Sequence, residues 1–133
     1  MPFEVKLLPG TSIMEIRIWD KLTIENVQAM SKDVNSLARA TGIHRVLVDS
    51  RDYKGGVSLA EIYFHAKGVN ERAPDKRGVE AFIAPTSPRA AADVEFYALA
   101  ARNQGTPVEL FSTREAAIEW LKVAPILDES LIK

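Results

Sequence analysis

Residues 46–61 read VLVDSRDYKGGVSLAE, and this segment predicts a buried strand, a polar loop and the start of a helix. The continuous apolar run Val46-Leu47-Val48 is typical of an interior strand of a parallel sheet, which is covered on both faces. Polar residues follow as far as Gly55-Gly56, for which a flexible turn is the simplest interpretation. Ser58-Leu59-Ala60-Glu61 matches the Ser-x-x-Glu capping box, so a helix is predicted to begin at Ser58.

Four helices are predicted from capping residues and apolar residues at helical spacing. They are expected over residues 23–42, 58–68, 87–103 and 112–121. Thr23 and Gly42 have the residue types that begin and end a helix, and Pro88 suits the first position of the third helix. A second capping box, with Ser112 as N-cap and Glu115 three residues later, is predicted to start the fourth helix.

Five strands are predicted between these helices, over residues 3–8, 12–19, 46–48, 79–84 and 107–111. Strands that alternate with helices of this length favour βαβ units with right-handed crossovers. The predicted fold class is a single α/β domain over residues 1–133, with a five-stranded mixed, mostly parallel sheet and four helices. Its core is expected over residues 3–121. Residues 68–78 are expected to form a solvated loop, and the amphipathic tail within 122–133 is expected to dock on the domain.

Composition excludes several classes of protein. The 133 residues include 17 Lys and Arg against 18 Asp and Glu, a net charge of -1 that argues against bulk binding to nucleic acid or anionic membranes. The absence of cysteine excludes disulfides, thiolate metal sites and a cysteine nucleophile. The sequence shows neither a signal peptide nor an apolar run long enough to span a membrane, so a cytoplasmic protein is expected.

No catalytic or metal-binding motif stands out. His44 and His65 are 21 residues apart and lack partners at metal-ligand spacing, so we expect no metal site and no cofactor. His44 is interpreted as a surface residue and His65 as part of a helix edge or an interface. Neither a phosphate-binding glycine loop nor the G-x-S-x-G motif of many hydrolases is present.

Polar and mostly cationic side chains follow the strands of the predicted sheet. Because the carboxyl ends of parallel strands meet at one edge, beside the N-termini of the crossover helices, we expect an anionic or amphipathic ligand to bind there. The residues predicted to bind it are Asp49, Ser50, Arg51, Tyr53, Lys54, Ser87 and Arg89. Asp49 has two open interpretations, as a carboxylate that orients a ligand or acts as a base, and as a cap of its own loop.

The order of elements, together with the segment from Val46 to Leu59, resembles the STAS domain of anti-sigma-factor antagonists, and most closely its SpoIIAA-like branch. That branch is often grouped with CRAL-TRIO-type lipid-transfer domains. The resemblance covers residues 3–121 and implies a non-catalytic regulatory module that binds a small ligand or a protein partner. The alternative is a small enzyme acting on an anionic substrate at the same sheet edge, with Asp49 as base and Arg51 or Arg89 as anchor.

In the antagonist family, a partner kinase phosphorylates a serine near the position of Ser58, within an Asp-Ser-Ser-Gly stretch. Here the residue before Ser58 is Val57, the residues after it are Leu59 and Ala60, and the glycine is absent. We therefore interpret Ser58 as a helix cap rather than as a phosphorylation site.

A helical-wheel analysis predicts a dimer interface. On the second and third helices it places Phe64, Phe96, Leu99 and Ala100 on the outward side. Because a contiguous exposed apolar surface usually marks an interface, we expect a symmetric homodimer. The alternative is that residues 68–78 or 126–132 fold over this surface.

Overall fold

The structure, a computed structural model, describes residues 2–72 and 76–128 of the chain. The strands are β1 (Phe3–Leu7), β2 (Ile13–Lys21), β3 (Arg45–Gly55), β4 (Lys76–Arg77), β5 (Val79–Ile83), β6 (Val108–Phe111) and β7 (Leu127–Asp128). The helices are α1 (Ile24–Thr41), α2 (Leu59–Arg72), α3 (Pro88–Asn103) and α4 (Arg114–Val123).

The main sheet has five strands in the order β1-β2-β3-β5-β6. β1 is antiparallel to β2, and the other neighbouring strands of this sheet are parallel. β4 and β7 form a separate antiparallel pair. These observations confirm the predicted fold class, a single α/β domain with a five-stranded mixed, mostly parallel sheet and four helices.

The helices cover the two faces of the sheet unequally. α1, α2 and α3 pack on one face, over a core that includes Ile16 and Val48. α4 packs on the other face, over a second core that includes Ile13 and Leu47. Because side chains alternate along a strand, β3 supplies Val48 to one core and Leu47 to the other, which accounts for its continuous apolar run.

Side-chain caps fix the predicted helix starts. The backbone N–H of Asn26 donates to the Thr23 hydroxyl, and the Asn26 side chain accepts from the backbone N–H of Thr23. Ser58 and Glu61 exchange the same two bonds at the start of α2, at 3.2 and 3.0 Å. Ser87 caps α3 by accepting from Ala90. These three predicted caps are therefore confirmed.

Two segments predicted as loops contain regular structure. β3 continues through the polar residues after Asp49 as far as Gly55, because β2 extends beside it and pairs with it up to Lys21. α2 continues past the expected end at Gly68 to Arg72, and β4 follows within the segment expected to be a solvated loop. Residues 73–75 of that segment lie outside the described residues.

The predicted N-cap of α4 is wrong by one residue. Thr113, not Ser112, accepts the backbone N–H of Ala116 at 3.2 Å. The sequence offers two adjacent hydroxyl residues, and the capping-box pattern selects the first because it places Glu115 three residues later. Direct capping by Thr113 takes precedence in the structure.

The described part of the C-terminal tail contacts the domain. Ile126 packs against the core beneath α4, and β7 pairs with β4. This agrees with the predicted docking of the tail as far as residue 128, and residues 129–133 lie outside the described residues.

Within residues 2–72 and 76–128, no helix combines the length and the apolar character that a membrane crossing requires.

Candidate functional site

An apolar pocket lies between α1 and the packed pair of α2 and α3. α1 packs over β1 near one edge of the sheet, whereas α3 packs on β3 and β6, and the gap between the helices has β2, β3 and β5 as its floor. Ile16, Val48 and Phe82 belong to this floor, and Met30 and Val34 of α1 form one wall. The cavity volume is about 160 Å³. The helix-covered face of the sheet therefore carries a small, largely hydrophobic site.

The few polar groups of the pocket lie mainly on the α3 side. The Tyr97 hydroxyl donates to Oε1 of Glu80 at 2.7 Å, and the His65 ring stacks on the Tyr97 ring with 6.1 Å between centroids. Tyr53 is buried, and its burial together with the nearby charge of Asp93 raises its pKa to about 12. Tyr53 therefore presents a neutral hydroxyl at physiological pH.

An irregularity between β2 and β3 brings Tyr53 to this pocket. Arg17 pairs with Asp49, but Trp19 pairs with Asp52, so β3 contains one extra residue at this point. An extra residue shifts the alternation of side chains between the two faces. Tyr53 consequently joins the core under the helices, whereas Asp49 lies on the opposite face, within reach of the charge of Arg114 of α4.

Two ion pairs lie side by side on the α4 face. Arg114 donates to both carboxylate oxygens of Glu15, at 2.6 and 2.8 Å, and Arg51 donates to both oxygens of Asp49, at 3.0 and 2.8 Å. Glu15 and Asp49 are only 6% and 7% exposed. The hydrogen bonds from Arg114 and Arg51 lower the pKa of Glu15 and of Asp49, respectively, despite this burial. The two acids are therefore ionised and already neutralised by protein partners.

No cluster of metal ligands is present in the part of the chain that the structure describes. Nowhere among residues 2–72 and 76–128 do three or more His, Asp or Glu side chains come together in an arrangement that could hold a metal ion.

Comparisons with solved structures identify the fold. An uncharacterised protein of the DUF3478 family from Shewanella loihica PV-4, described as having a SpoIIAA-like fold, matches with a TM-score of 0.60 at 18% identity, over 90% of this chain and 91% of that chain. The chain has the SpoIIAA-like fold. The unphosphorylated anti-sigma factor antagonist SpoIIAA matches with a TM-score of 0.57 at 13% identity, over 91% of this chain and 98% of that chain. No protein-family model and no curated protein matches the chain.

The SpoIIAA-like fold distributes the residues of the predicted ligand site over different environments. Of the seven, only Tyr53 lines the pocket. Asp49 and Arg51 pair with each other on the α4 face, and Ser50 is fully buried, with its hydroxyl donating to the carbonyl oxygen of Ile83 at 2.7 Å. Ser50 is therefore occupied in holding β3 to β5.

Of the remaining three predicted residues, Lys54 lies near the end of β3, and Ser87 and Arg89 lie at the start of α3. Ser87 caps α3, and Lys54 and Arg89 are exposed. The Arg89 and Asp93 side chains both lie close to Gly55: a Cβ atom at that position would be 4.0 Å from Nε of Arg89 and 3.4 Å from Oδ2 of Asp93. A ligand site formed by these residues at the carboxyl edge stays a prediction.

Sequence reasoning missed most residues of the pocket. Apolar residues at helical spacing predict a buried face of α1, but that spacing does not indicate that Met30 and Val34 line a pocket. His65, which the sequence predicts at a helix edge or an interface, borders the pocket. The apolar residues of α1 predict that this side of the helix is buried. The pocket exists because α1 and α2 are separated, so that part of this apolar side has no side chain packed against it.

The predicted dimer surface is exposed in part. The exposed fractions of Phe64 and Leu99 are 70% and 55%. Phe96 and Ala100 are instead half-buried and pack against the core under the helices, which corrects their predicted outward orientation. The same helical wheel predicts inward positions for Leu59 and Tyr63, but both are exposed. α2 is therefore rotated relative to the prediction, with much of its aromatic surface facing solvent.

Proposed function

We propose that the chain is a non-catalytic binding module that takes up the apolar part of a small amphipathic molecule in the pocket between α1 and the α2–α3 pair. The observation that carries the proposal is the pocket itself, in which aliphatic and aromatic side chains surround a cavity of about 160 Å³. Small-molecule sites typically combine such an apolar lining with a few polar groups. Tyr53, Asp93 and the Glu80–Tyr97 pair supply those groups.

The size of the cavity limits the group that it accepts. Engineered apolar cavities of about 150 Å³ bind benzene, so a single ring or a chain of comparable volume suits this pocket. Burial of that group removes apolar surface from water, at about 25 cal/mol per Å². The proposal therefore predicts weak but specific binding of small neutral aromatic compounds.

The experiment is a titration of the protein with benzene or toluene, followed by NMR of the methyl groups of Val34 and Val48. Val34→Trp fills the pocket from the α1 side and is expected to abolish the shifts of the remaining pocket methyls. The matched control is Ala40→Trp, which places the same side chain on an exposed position of the same helix. Circular dichroism confirms that both variants fold. Binding that Val34→Trp leaves intact, or no binding by the wild type, would overturn the proposal.

A regulatory role, as in the anti-sigma factor antagonist with the same fold, is part of the proposal. Ile62 and His65 of α2 line the pocket, while Leu59 and Phe64 of the same helix are exposed. One helix thus contacts the ligand and also carries a surface suited to a protein partner. Ligand binding would therefore change the mobility of α2 and of that surface. Slower amide exchange along residues 59–67 in the presence of toluene is the expected sign of this coupling, and unchanged exchange would contradict it.

The enzymatic alternative receives less support. A general base must be free to accept a proton, and its pKa is best placed near the working pH. Asp49 is instead bound through both oxygens by Arg51, with a pKa below its usual value. The same contacts engage Arg51, which the alternative uses as an anion anchor.

A further inference from the structure

We infer that the ligand of the apolar pocket is an amphipathic anion, whose charged group lies at the pocket mouth beside Lys32 and Arg39 of α1. This inference rests on the proposed function and adds the chemistry of the polar end of the ligand. Its basis is a second concavity, lined by polar and cationic side chains, that adjoins the pocket.

The two concavities share a boundary. Ser31, Asn35 and His65 line both of them, so the two concavities meet at these three residues. The second concavity is otherwise formed by α1, which contributes Lys32 and Arg39. We call this second concavity the basic vestibule.

The geometry of α1 produces both environments. Val27, Met30 and Val34 recur at helical spacing and face the pocket, whereas Lys32 and Arg39 lie seven residues apart on the side of the helix that lines the second concavity. Seven residues correspond to two helical turns, or about 10 Å along the axis. Ser31 and Asn35 lie between the two sets, so one helix offers an apolar wall, a polar border and, beyond it, two cations.

Charge complementarity favours an anion in the vestibule. Its lining contains Lys32, Arg39 and His65 but no Asp or Glu. Lys32 and Arg39 form no salt bridge with any other residue that the structure describes. Both side chains can therefore turn toward a ligand, and a guanidinium binds a carboxylate through two parallel hydrogen bonds.

The acids of the pocket orient such a ligand. Glu80 and Asp93 line the pocket from β5 and α3, so an anionic group placed inside would meet like charges. An apolar group placed there meets the hydrophobic floor instead. The favoured orientation has the apolar end over the sheet and the anionic end in the vestibule.

The experiment compares 3-phenylpropionate with 3-phenylpropanol, which has the same ring and spacer but no charge. Isothermal calorimetry or NMR titration at low salt gives Kd for each compound, with propionate as the probe that lacks the ring. The wild type is expected to bind phenylpropionate about tenfold more tightly than the alcohol, because opposite charges at a partly desolvated site reinforce binding. Propionate alone is expected to bind more weakly than either.

The variant Lys32→Gln/Arg39→Gln is expected to remove that tenfold preference while changing Kd for the alcohol less than about twofold, since the apolar pocket is unaltered. Equal weakening of both compounds, or an unchanged Kd for phenylpropionate, would overturn the inference. A loss caused by Lys54→Gln/Arg89→Gln instead would place the anion at the carboxyl edge of the strands and would also overturn it. Failure of the alcohol and of toluene to bind the wild type would refute the proposed function itself, which keeps the two failures distinguishable.

Discussion

Glu15 brings a negative charge to the sheet face under α4, beside apolar core residues. It lies next to Ile13 and Leu47 of the core beneath α4, and its only described charged hydrogen-bond donor is Arg114. Removing one member of a buried ion pair leaves the other uncompensated, and that is costlier than removing both. We therefore expect the free energy of unfolding to respond very differently to single and double substitutions here.

Arg114→Leu is expected to lower the free energy of unfolding by about 2–3 kcal/mol, because Glu15 then remains buried without a partner. The value lies below the roughly 3–5 kcal/mol typical of fully buried pairs because Arg114 is itself partly exposed. Urea denaturation provides the measurement, and Glu15→Leu/Arg114→Leu is the control that removes both charges. A double variant less stable than Arg114→Leu would contradict this account.

Glu15 and Asp49, the two buried acids on the α4 face, make the free energy of unfolding depend on pH. The folded-state pKa values of Glu15 and Asp49 lie below their usual 4.5 and 3.8, since arginine hydrogen bonds favour the charged forms. A lowered folded-state pKa contributes stability that is fully present above the unfolded-state pKa and is lost as the pH falls through the folded-state value.

Urea denaturation at a series of pH values is thus expected to show the free energy of unfolding falling as the pH drops below about 4.5. Glu15→Gln is expected to reduce this dependence, because the glutamine side chain does not titrate. If Glu15→Gln shows the wild-type slope between pH 5 and pH 3, the acid sensitivity has another origin.

At the scale of elements, helix caps are the local signals that best predict boundaries. A cap depends on residues within one turn, so Thr23, Ser58 and Ser87 can be recognised without tertiary information. Strand ends and helix ends depend on neighbours. The end of β3 is set by its pairing with β2, and α2 continues through Gly68 to Arg72 although glycine is a poor helix former. Neither outcome is encoded in the segment itself.

The caps also support a prediction. Ser58→Ala and Thr113→Ala are each expected to lower the free energy of unfolding by about 1 kcal/mol, because each removes the acceptor of a backbone N–H at a helix start. Ser112→Ala is the matched control, since Ser112 is exposed and the neighbouring Thr113 provides the cap. A larger loss at Ser112 than at Thr113, measured by thermal or urea denaturation, would reverse the assignment.

Capping also explains why Ser58 is expected to carry no phosphate. Its hydroxyl already accepts the backbone N–H of Glu61, and a phosphate would lie close to the Glu61 carboxylate. Mass spectrometry of the protein from its native host provides the measurement. Stoichiometric phosphate on Ser58 would show that the serine is a regulatory site despite its cap.

At the scale of the whole molecule, the sequence predicts the order of strands and helices better than it predicts the pocket. Apolar periodicity and helix caps are sufficient to predict that order, but the pocket arises where α1 and α2 are held apart over β2 and β3. That spacing results from packing of whole helices, which no single segment specifies. The extra residue in β3 had a similar effect, because it separated Tyr53 from Asp49, two residues that the sequence placed at one edge.

Assembly is the remaining whole-molecule prediction. Residues that the structure describes leave Phe64 and Leu99 exposed, on two helices that pack against each other. The alternative, in which residues 68–78 or 126–132 fold over this surface, predicts a monomer instead. Exposed apolar side chains on two packed helices lose contact with water when a second copy binds, so we expect a twofold dimer through this surface.

Multi-angle light scattering at micromolar concentration is expected to give the mass of a dimer for the wild type and of a monomer for Phe64→Glu or Leu99→Glu, because either charge would be desolvated at the interface. Phe96 is unsuitable for this test, since it packs against the core and its substitution would also destabilise the fold. Val123→Glu is the matched control, because Val123 is 78% exposed but belongs to α4 on the opposite face of the sheet. A wild-type monomer would reject the dimer. A dimer that survives both Phe64→Glu and Leu99→Glu would place the interface elsewhere, whereas one that dissociates only with Val123→Glu would move it to the α4 face.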